Sequence, residues 1–536
     1  MKGYIIGIGG SGHRCIEAFI HLAAAGLGQC DEVSVMFVDS DSGNGNFDRT
    51  KSTLEEYMQV KSFIGASDGF FKSRIKLVGD IGKCLWSPLE SPGCMGEQCS
   101  GNGTTSPDKE MILTDDQKNL NNIVEYNLLS EEEKILFDFL YTEKERNEAL
   151  IEGFYGHPSI GSALVAKNLD FESEPWRTLI NNIKNDVKNE EAKVFFVASI
   201  FGGTGASGFP TISRHLRKTI DSPGLKLGGI LLLPYFRFDV SKTAEFDDSL
   251  CPDCGNFLAK SKAALFYYDN QKYYEIFDKI YMLGDSYDEF TEVSFSRGKS
   301  EQKNKPHIVE LYSALAAADF FSHNSMSNNE KVCLVTRGRN DEGSSGGGKY
   351  IYDWNRLSGI LPDKDEVKNK LARLLRFSIV YTKTYFPVIN NIANSSSGSN
   401  THKSATWYSN YFTKNNITIA GTRDEEYSNK LKPLNAYCSR FIDWIYEMHL
   451  QEASKNAPID PRVCLFNVSY RNLFDKQYDT KYDLDNYEKL VFGHVRNANK
   501  AGEIYSSICK KRDFKDVKRS FVDSFILDLY DYSELK

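Results

Sequence analysis

The sequence predicts an α/β protein, a doubly wound, mainly parallel sheet joined by a central helix to a second α+β domain. Three observations carry that expectation. Two glycine-rich segments, IIGIGGSGHR at 5–14 and FFVASIFGGTGASGFP at 195–210, each follow an apolar run and open a helical pattern. Short apolar strand candidates alternate with helical stretches through residues 1–325, as βαβ units with parallel pairing do. A long apolar stretch at 307–321 then leads to a polar, Gly-rich break at 338–348 and a last third, 350–536, of different character.

In chain order, residues 4–8 read as a buried strand. Ile16, Phe19, Ile20, Ala23, Ala24 and Leu27 recur at helical spacing until Gly26 and Gly28 stop the helix. Residues 33–38 form the next strand, ending in the turn Asp39-Ser40-Asp41. The pattern breaks over 43–147, rich in Gly, Ser, Asn and charge, which predicts an insertion of exposed loops with a helix at 130–140. A turn at 156–161, a helix at 176–187 and a strand at 194–200 follow. Ile212, Leu216 and Ile220 mark a helix with Pro210 in its first turn. Strands are expected at 227–233 and 279–283, then the central helix at 307–321. The last third predicts helices at 364–381 and 434–450, strands at 417–420 and 463–468, and a loop at 394–400.

Composition narrows the function classes. The 536 residues carry a net charge of −8, which argues against coating a nucleic acid. No apolar run reaches the roughly 18 residues a membrane span needs. The chain enters a strand directly after Lys2, so no secretory leader is expected and the location predicted is cytoplasmic. The 11 cysteines then read as reduced thiols. A zinc site drawn from Cys84, Cys94, Cys99, Cys251 and Cys254 would have one tight Cys-x-x-Cys pair where zinc ribbons have two, so free thiols are the better reading.

The chemistry lies in the two glycine loops. Each places bare backbone amides at a helix N-terminus, where the amides and the positive end of the helix dipole suit an anion. Gly7, Gly9 and Gly12 satisfy G-x-G-x-x-G and Asp39 ends the next strand, a pattern that alone fits an NAD or FAD oxidoreductase or a tight turn with no ligand. A Rossmann enzyme has no use for the second loop, and two such loops point to one nucleotide held by both. Gly202, Gly203 and Gly205 let amides approach phosphate oxygens, and Ser11, Thr204 and Ser207 add hydroxyls. Neither loop contains a Walker lysine.

This combination resembles the tubulin/FtsZ superfamily of GTPases. Gly7, Gly9, Gly10 and Gly12 resemble the FtsZ-type opening G-x-G-G-x-G, and Val38-Asp39-Ser40-Asp41 resembles the turn after the family's second strand. Gly156-His157-Pro158-Ser159-Ile160-Gly161 is similar to the loop that closes on the terminal phosphate, and residues 201–210, with Ala206 and Ser207 at the end of the motif, to the tubulin signature. The resemblance implies GTP or GDP as ligand with Mg²⁺, head-to-tail self-association, and hydrolysis completed by the next subunit. Asp41 is the candidate outer-shell Mg²⁺ ligand, with a solvated turn carboxylate as the equal alternative. Asp239 stands where relatives contact ribose, Asp285 where they read guanine, and Arg14 replaces an asparagine that helps read the base. The hydrolytic loop after the central helix has no clear counterpart; Asp319, Asp363 and Asp365 are the nearest carboxylates, and helix capping explains the last two equally well. The long insertion and divergent last third look most like bacterial tubulin-like proteins, which implies a stress or antiphage role and leaves a non-hydrolysing scaffold for an effector protein as the alternative.

Overall fold

A computed structural model describes residues 2–65, 69–79, 84–90, 117–150, 153–154, 156–238, 256–285, 290–293, 298–322, 331–335, 338–339, 350–351, 364–395, 405–454, 501–511 and 520–534. Its centre is an eight-stranded sheet in which every pairing is parallel. The strands are β1 (Lys2–Ile8), β2 (Glu32–Val38), β3 (Arg74–Leu77), β4 (Leu85–Trp86), β5 (Ala192–Ser199), β6 (Leu225–Leu232), β8 (Lys279–Leu283) and β10 (Val332–Val335). Their order is β10-β8-β6-β5-β1-β2-β3, with β4 beside the end of β2. A parallel sheet needs a crossover between neighbours and is buried on both faces. The sequence shows this: Ile5, Phe195 and Val197 join one core, while Tyr4, Ile6, Ile8, Val194, Phe196 and Ala198 join the other.

One face is covered by α1 (Gly9–Ala24), α2 (Gly45–Ile64) and the central α10 (Ile308–Phe321), the other by α7 (Trp176–Asn189) and α8 (Gly203–Thr219). α10 is buried along its whole length, and Lys193 at the start of β5 donates to the carbonyls of Phe320 and Ser322 at its end (3.0 and 2.8 Å). A small group of α3 (Leu120–Ile123), α4 (Glu131–Leu140), α5 (Glu143–Asn147) and α6 (Pro158–Asn168) has its own core around Leu120, Leu150, Phe154 and Leu164. Further along lie β7 (Phe236–Phe238), α9 (Phe257–Asn270) and β9 (Thr291–Val293); β7 and β9 pair in parallel apart from the main sheet.

Three expectations change. The predicted insertion is not one at its start, because α2, β3 and β4 belong to the main fold. Pro210 lies well inside α8, not in its first turn. A proline there deprives the Ala206 carbonyl of its helix partner, and the Tyr268 hydroxyl donates to that oxygen instead (3.3 Å). Residues 417–420 are irregular, not a strand.

Beyond β10 the only strands among the described residues are β11 (Gly338–Arg339), in the Gly-rich break, and β12 (Tyr350–Ile351), which form a two-stranded antiparallel pair. The remainder is helical: α11 (Lys364–Val380), α12 (Phe386–Asn394), α13 (Thr406–Tyr411), α14 (Lys432–Ser454), α15 (Ala501–Lys510) and α16 (Phe521–Tyr532). These helices extend the core beneath α1 and α2. His21 of α1 meets the Tyr437 hydroxyl at 3.0 Å and lies against Trp444, and Arg440 donates to Glu56 of α2 (2.8 Å). The strand expected at 463–468 lies outside the described residues, as do Cys94, Cys99, Cys251 and Cys254.

Candidate functional site

Strand order reverses about β1: β2 and β3 lie to one side, β5, β6, β8 and β10 to the other. Open parallel sheets bind ligands at such a switch point, beyond the carboxyl ends of the strands. Both glycine loops leave the sheet here, one from β1 into α1 and the other from β5 into α8. Glycine is required for their close packing. A Cβ on Gly12 would stand 2.7 Å from the Val197 carbonyl, and one on Gly205 would stand 2.6 Å from that of Ser199.

The loops converge. Gly9, at φ +74°, points the place of its missing Cβ at the Gly205 amide and at Thr204, both 3.5 Å away. The Ser40 and Thr204 hydroxyls share a hydrogen bond of 2.9 Å, tying the end of β2 to the second loop. Gly153 approaches Ser40, while Gly203 packs on Phe154 and the amide of Gly156. Among the described residues no side chain caps the N-terminus of α1 or α8, nor those of α6, α7, α9, α12 and α13, whereas α2, α4, α10 and α16 are capped by Asn44, Ser130, His307 and Ser520. Both helices thus start close together without the side-chain partner that a capped helix gives its first amides. A cavity of about 390 Å³ opens beside Ser40 and Asp41, lined also by Asp48, Glu90, Lys118 and Lys299.

The expected residues divide by where the structure sets them. Gly9, Gly10, Ser11 and Gly12 open α1, while Gly202 precedes α8 and Gly203, Thr204 and Gly205 open it. Gly156 and Pro158 sit at the start of α6, and Gly161 packs against Ser207 of α8. Ser207 is buried, and its hydroxyl donates to the carbonyls of Gly203 and Thr204 (2.9 and 3.0 Å), so it serves its own helix. Ala206 is buried one position before it.

Arg14 touches the first loop only through a terminal nitrogen 3.4 Å from the Ser11 hydroxyl; its other bonds run toward α10 and its surroundings. Its guanidinium is buried against Glu310 in the first turn of α10: Nε donates to Glu310 Oε1 (2.5 Å), one terminal nitrogen to the Tyr235 hydroxyl (2.7 Å) and the other to Asn304 (3.2 Å). Burial opposes that charge, but Glu310 and Tyr235 more than offset it and raise the Arg14 pKa above its ordinary value. The other Glu310 oxygen accepts the His307 amide (3.0 Å), so one carboxylate both caps α10 and neutralises Arg14.

Asp39 is likewise buried, under α1, accepting from Asn44 (3.2 Å) with His13 at 3.7 Å. Burial pushes its carboxyl up to about 7, and burial pushes His13 down to about 3. A carboxyl raised on folding contributes stability that is full below its unfolded pKa, near 4, and is lost as pH rises through about 7. Asp39→Asn is therefore expected to raise the melting temperature relative to the parent at pH 8, the gap closing toward pH 4. An equal gap at both pH values contradicts this assignment.

Asp41 has a structural task. Its two oxygens accept the amides of Gly43 (3.0 Å) and Lys299 (2.6 Å), and burial raises its pKa against those amides. It thereby fixes a strap, residues 298–304, that sequence reasoning missed. Asn44 donates to Gln302 (2.9 Å), Asn46 exchanges hydrogen bonds with Asn304 (3.1 and 2.9 Å), and Arg49 donates to the Asn304 carbonyl (2.6 Å). Asn44 alone carried a local signal, as a cap before a helix.

Asp285 follows β8, its amide donating to the Pro234 carbonyl (3.2 Å). Asp319 lies toward the end of α10, at the opposite end of the sheet from the loops. It is buried and accepts from Lys279 (2.9 Å), at the start of β8, and from the Tyr281 hydroxyl. Asp365 sits in the first turn of α11, while Asp363 and Asp239 lie outside the described residues. Among the described residues no cluster of three His, Cys, Asp or Glu could hold a metal ion, and no helix is long and apolar enough to cross a membrane. No model of a known protein family, no curated protein and no solved structure matches this chain.

Proposed function

We propose that the chain binds a nucleoside polyphosphate, its tail held between the N-termini of α1 and α8, with GTP or GDP as the nucleotide implied by the tubulin/FtsZ resemblance. The observation that supports this is the convergence of two uncapped helix ends at the topological switch point of a parallel sheet. The Ser11, Ser40 and Thr204 hydroxyls stand at or beside those ends. An oxidoreductase reading leaves the second loop without a task.

Mg²⁺ fits less well than phosphate. Both Asp41 oxygens already accept amides, so an ion here would rest mainly on phosphate oxygens and water. Nucleotide copurifying with the protein, released by acid and separated by chromatography, is expected to be GTP or GDP. A nucleotide-free protein that takes up neither GTP, GDP nor ATP at about 1 mM would overturn the proposal.

Asp319 favours a particular form of it. Hydrolysis by the next subunit, as the resemblance implies, needs a carboxylate able to orient water, and Asp319 is held by Lys279 and Tyr281. The reading favoured is a slow or non-hydrolysing, nucleotide-gated scaffold that recruits an effector. Phosphate release is expected to stay below about 10⁻³ per second and not to rise with protein concentration. A rate that climbs steeply with concentration would restore the self-assembling GTPase.

A further inference from the structure

We propose that two copies of this chain pair through two exposed stripes, the α4 stripe of each copy docking on the α9 stripe of the other. On α4 the outer face shows Ile135, Leu136, Phe139 and Leu140, 70, 59, 86 and 57% exposed. The helix is held from behind by Phe137, which packs on Tyr141 and the small core around Leu120 and Phe154. A run of large apolar side chains this exposed is rare on a monomer and marks an interaction surface.

The occupant follows from charge and spacing. Glu132 lies one turn before Leu136 and gives the α4 stripe an acidic end. On α9, Leu258 (50% exposed), Lys262 and Phe266 (68%) repeat at four-residue spacing, an apolar stripe with a cation at its centre. Both stripes expose large apolar side chains, and the two oppose in charge.

They are also anchored on the same turn. Tyr141, just past α4, donates to the Ser159 carbonyl (3.2 Å), and Lys260 of α9 donates to the Gly156 carbonyl (3.2 Å). With both stripes tied to one turn, a second copy answers each with its complement. The contact is isologous and closes as a twofold pair, unlike a head-to-tail filament.

Sedimentation velocity of the full chain, without nucleotide, across about 1–100 μM tests this. A monomer–dimer equilibrium that stops at two copies is expected. Leu136→Glu with Phe139→Glu should raise the dimer Kd by at least about 100-fold, with helical signal and melting temperature unchanged. Phe139→Ser is the milder variant should the glutamates disturb α4. Lys262→Glu and Glu132→Lys should each weaken pairing, and together restore it. A monomer at 100 μM, growth beyond two copies, or a Lys262→Glu protein that dimerises as the parent does would each overturn the pairing. So would a monomeric parent that binds a basic amphipathic peptide on α4.

Discussion

Gly202→Asp is expected to weaken nucleotide binding strongly while leaving the fold as stable as before. Gly202 is the N-cap of α8 with φ −89° and ψ 173°, extended backbone that any residue adopts. A Cβ there meets only the Ser199 hydroxyl, at 3.0 Å, which can rotate aside. Aspartate is among the best N-caps, so its carboxylate would satisfy the first amides of α8 and add up to about 0.5 kcal/mol of stability. Those are the amides assigned to phosphate, and the added charge repels it. Affinity for GTP should fall by more than about tenfold, or 1.4 kcal/mol, by isothermal titration, with the melting temperature level or raised. Unchanged affinity would remove the second loop from the site. Gly203→Asp is the poorer probe, because a Cβ there stands 2.9 Å from Phe154.

Glu310→Ala should be the most destabilising single change at the cradle. It strips the charged partner from a buried guanidinium and removes the Glu310 half of the α10 capping box. Removing one member of a buried pair typically costs about 3–5 kcal/mol, because the other charge is left unpaired. Replacing both members, as Arg14→Met with Glu310→Leu, should recover much of that loss. Urea denaturation of the two proteins measures the difference. A Glu310→Ala protein within about 1 kcal/mol of the parent would show that the pair does not hold α10 to the first loop.

Much of the sheet was legible in the sequence for a physical reason. β1, β5 and β6 are covered on both faces, so their residues form nearly unbroken apolar runs. α10, buried all round, reads the same way. α2 was hidden although Leu54, Tyr57, Val60 and Ile64 keep helical spacing, because its polar outer face and its Gly- and Asn-rich start look like a loop. β3 and β4, four and two residues long, are too short to show a period.

At the site the glycines announced themselves, since backbone amides can approach so closely only where side chains are missing. Their convergence followed from the order of the motifs. The strap at 298–304 carries no local pattern; its bonds join positions more than 250 apart in sequence, such as Asn44 with Gln302, 258 apart. Arg14 and Asp39 were read as ligand contacts from position alone. Only the structure reveals that α10 claims the first and that burial beneath α1 encloses the second.

A structure of the full chain with a non-hydrolysable GTP analogue decides the matter most directly. The polyphosphate is expected to accept amides from both helix starts, Gly10 to Gly12 and Gly203 to Gly205. Density for the tail at one loop only, at neither, or in another cavity would contradict it.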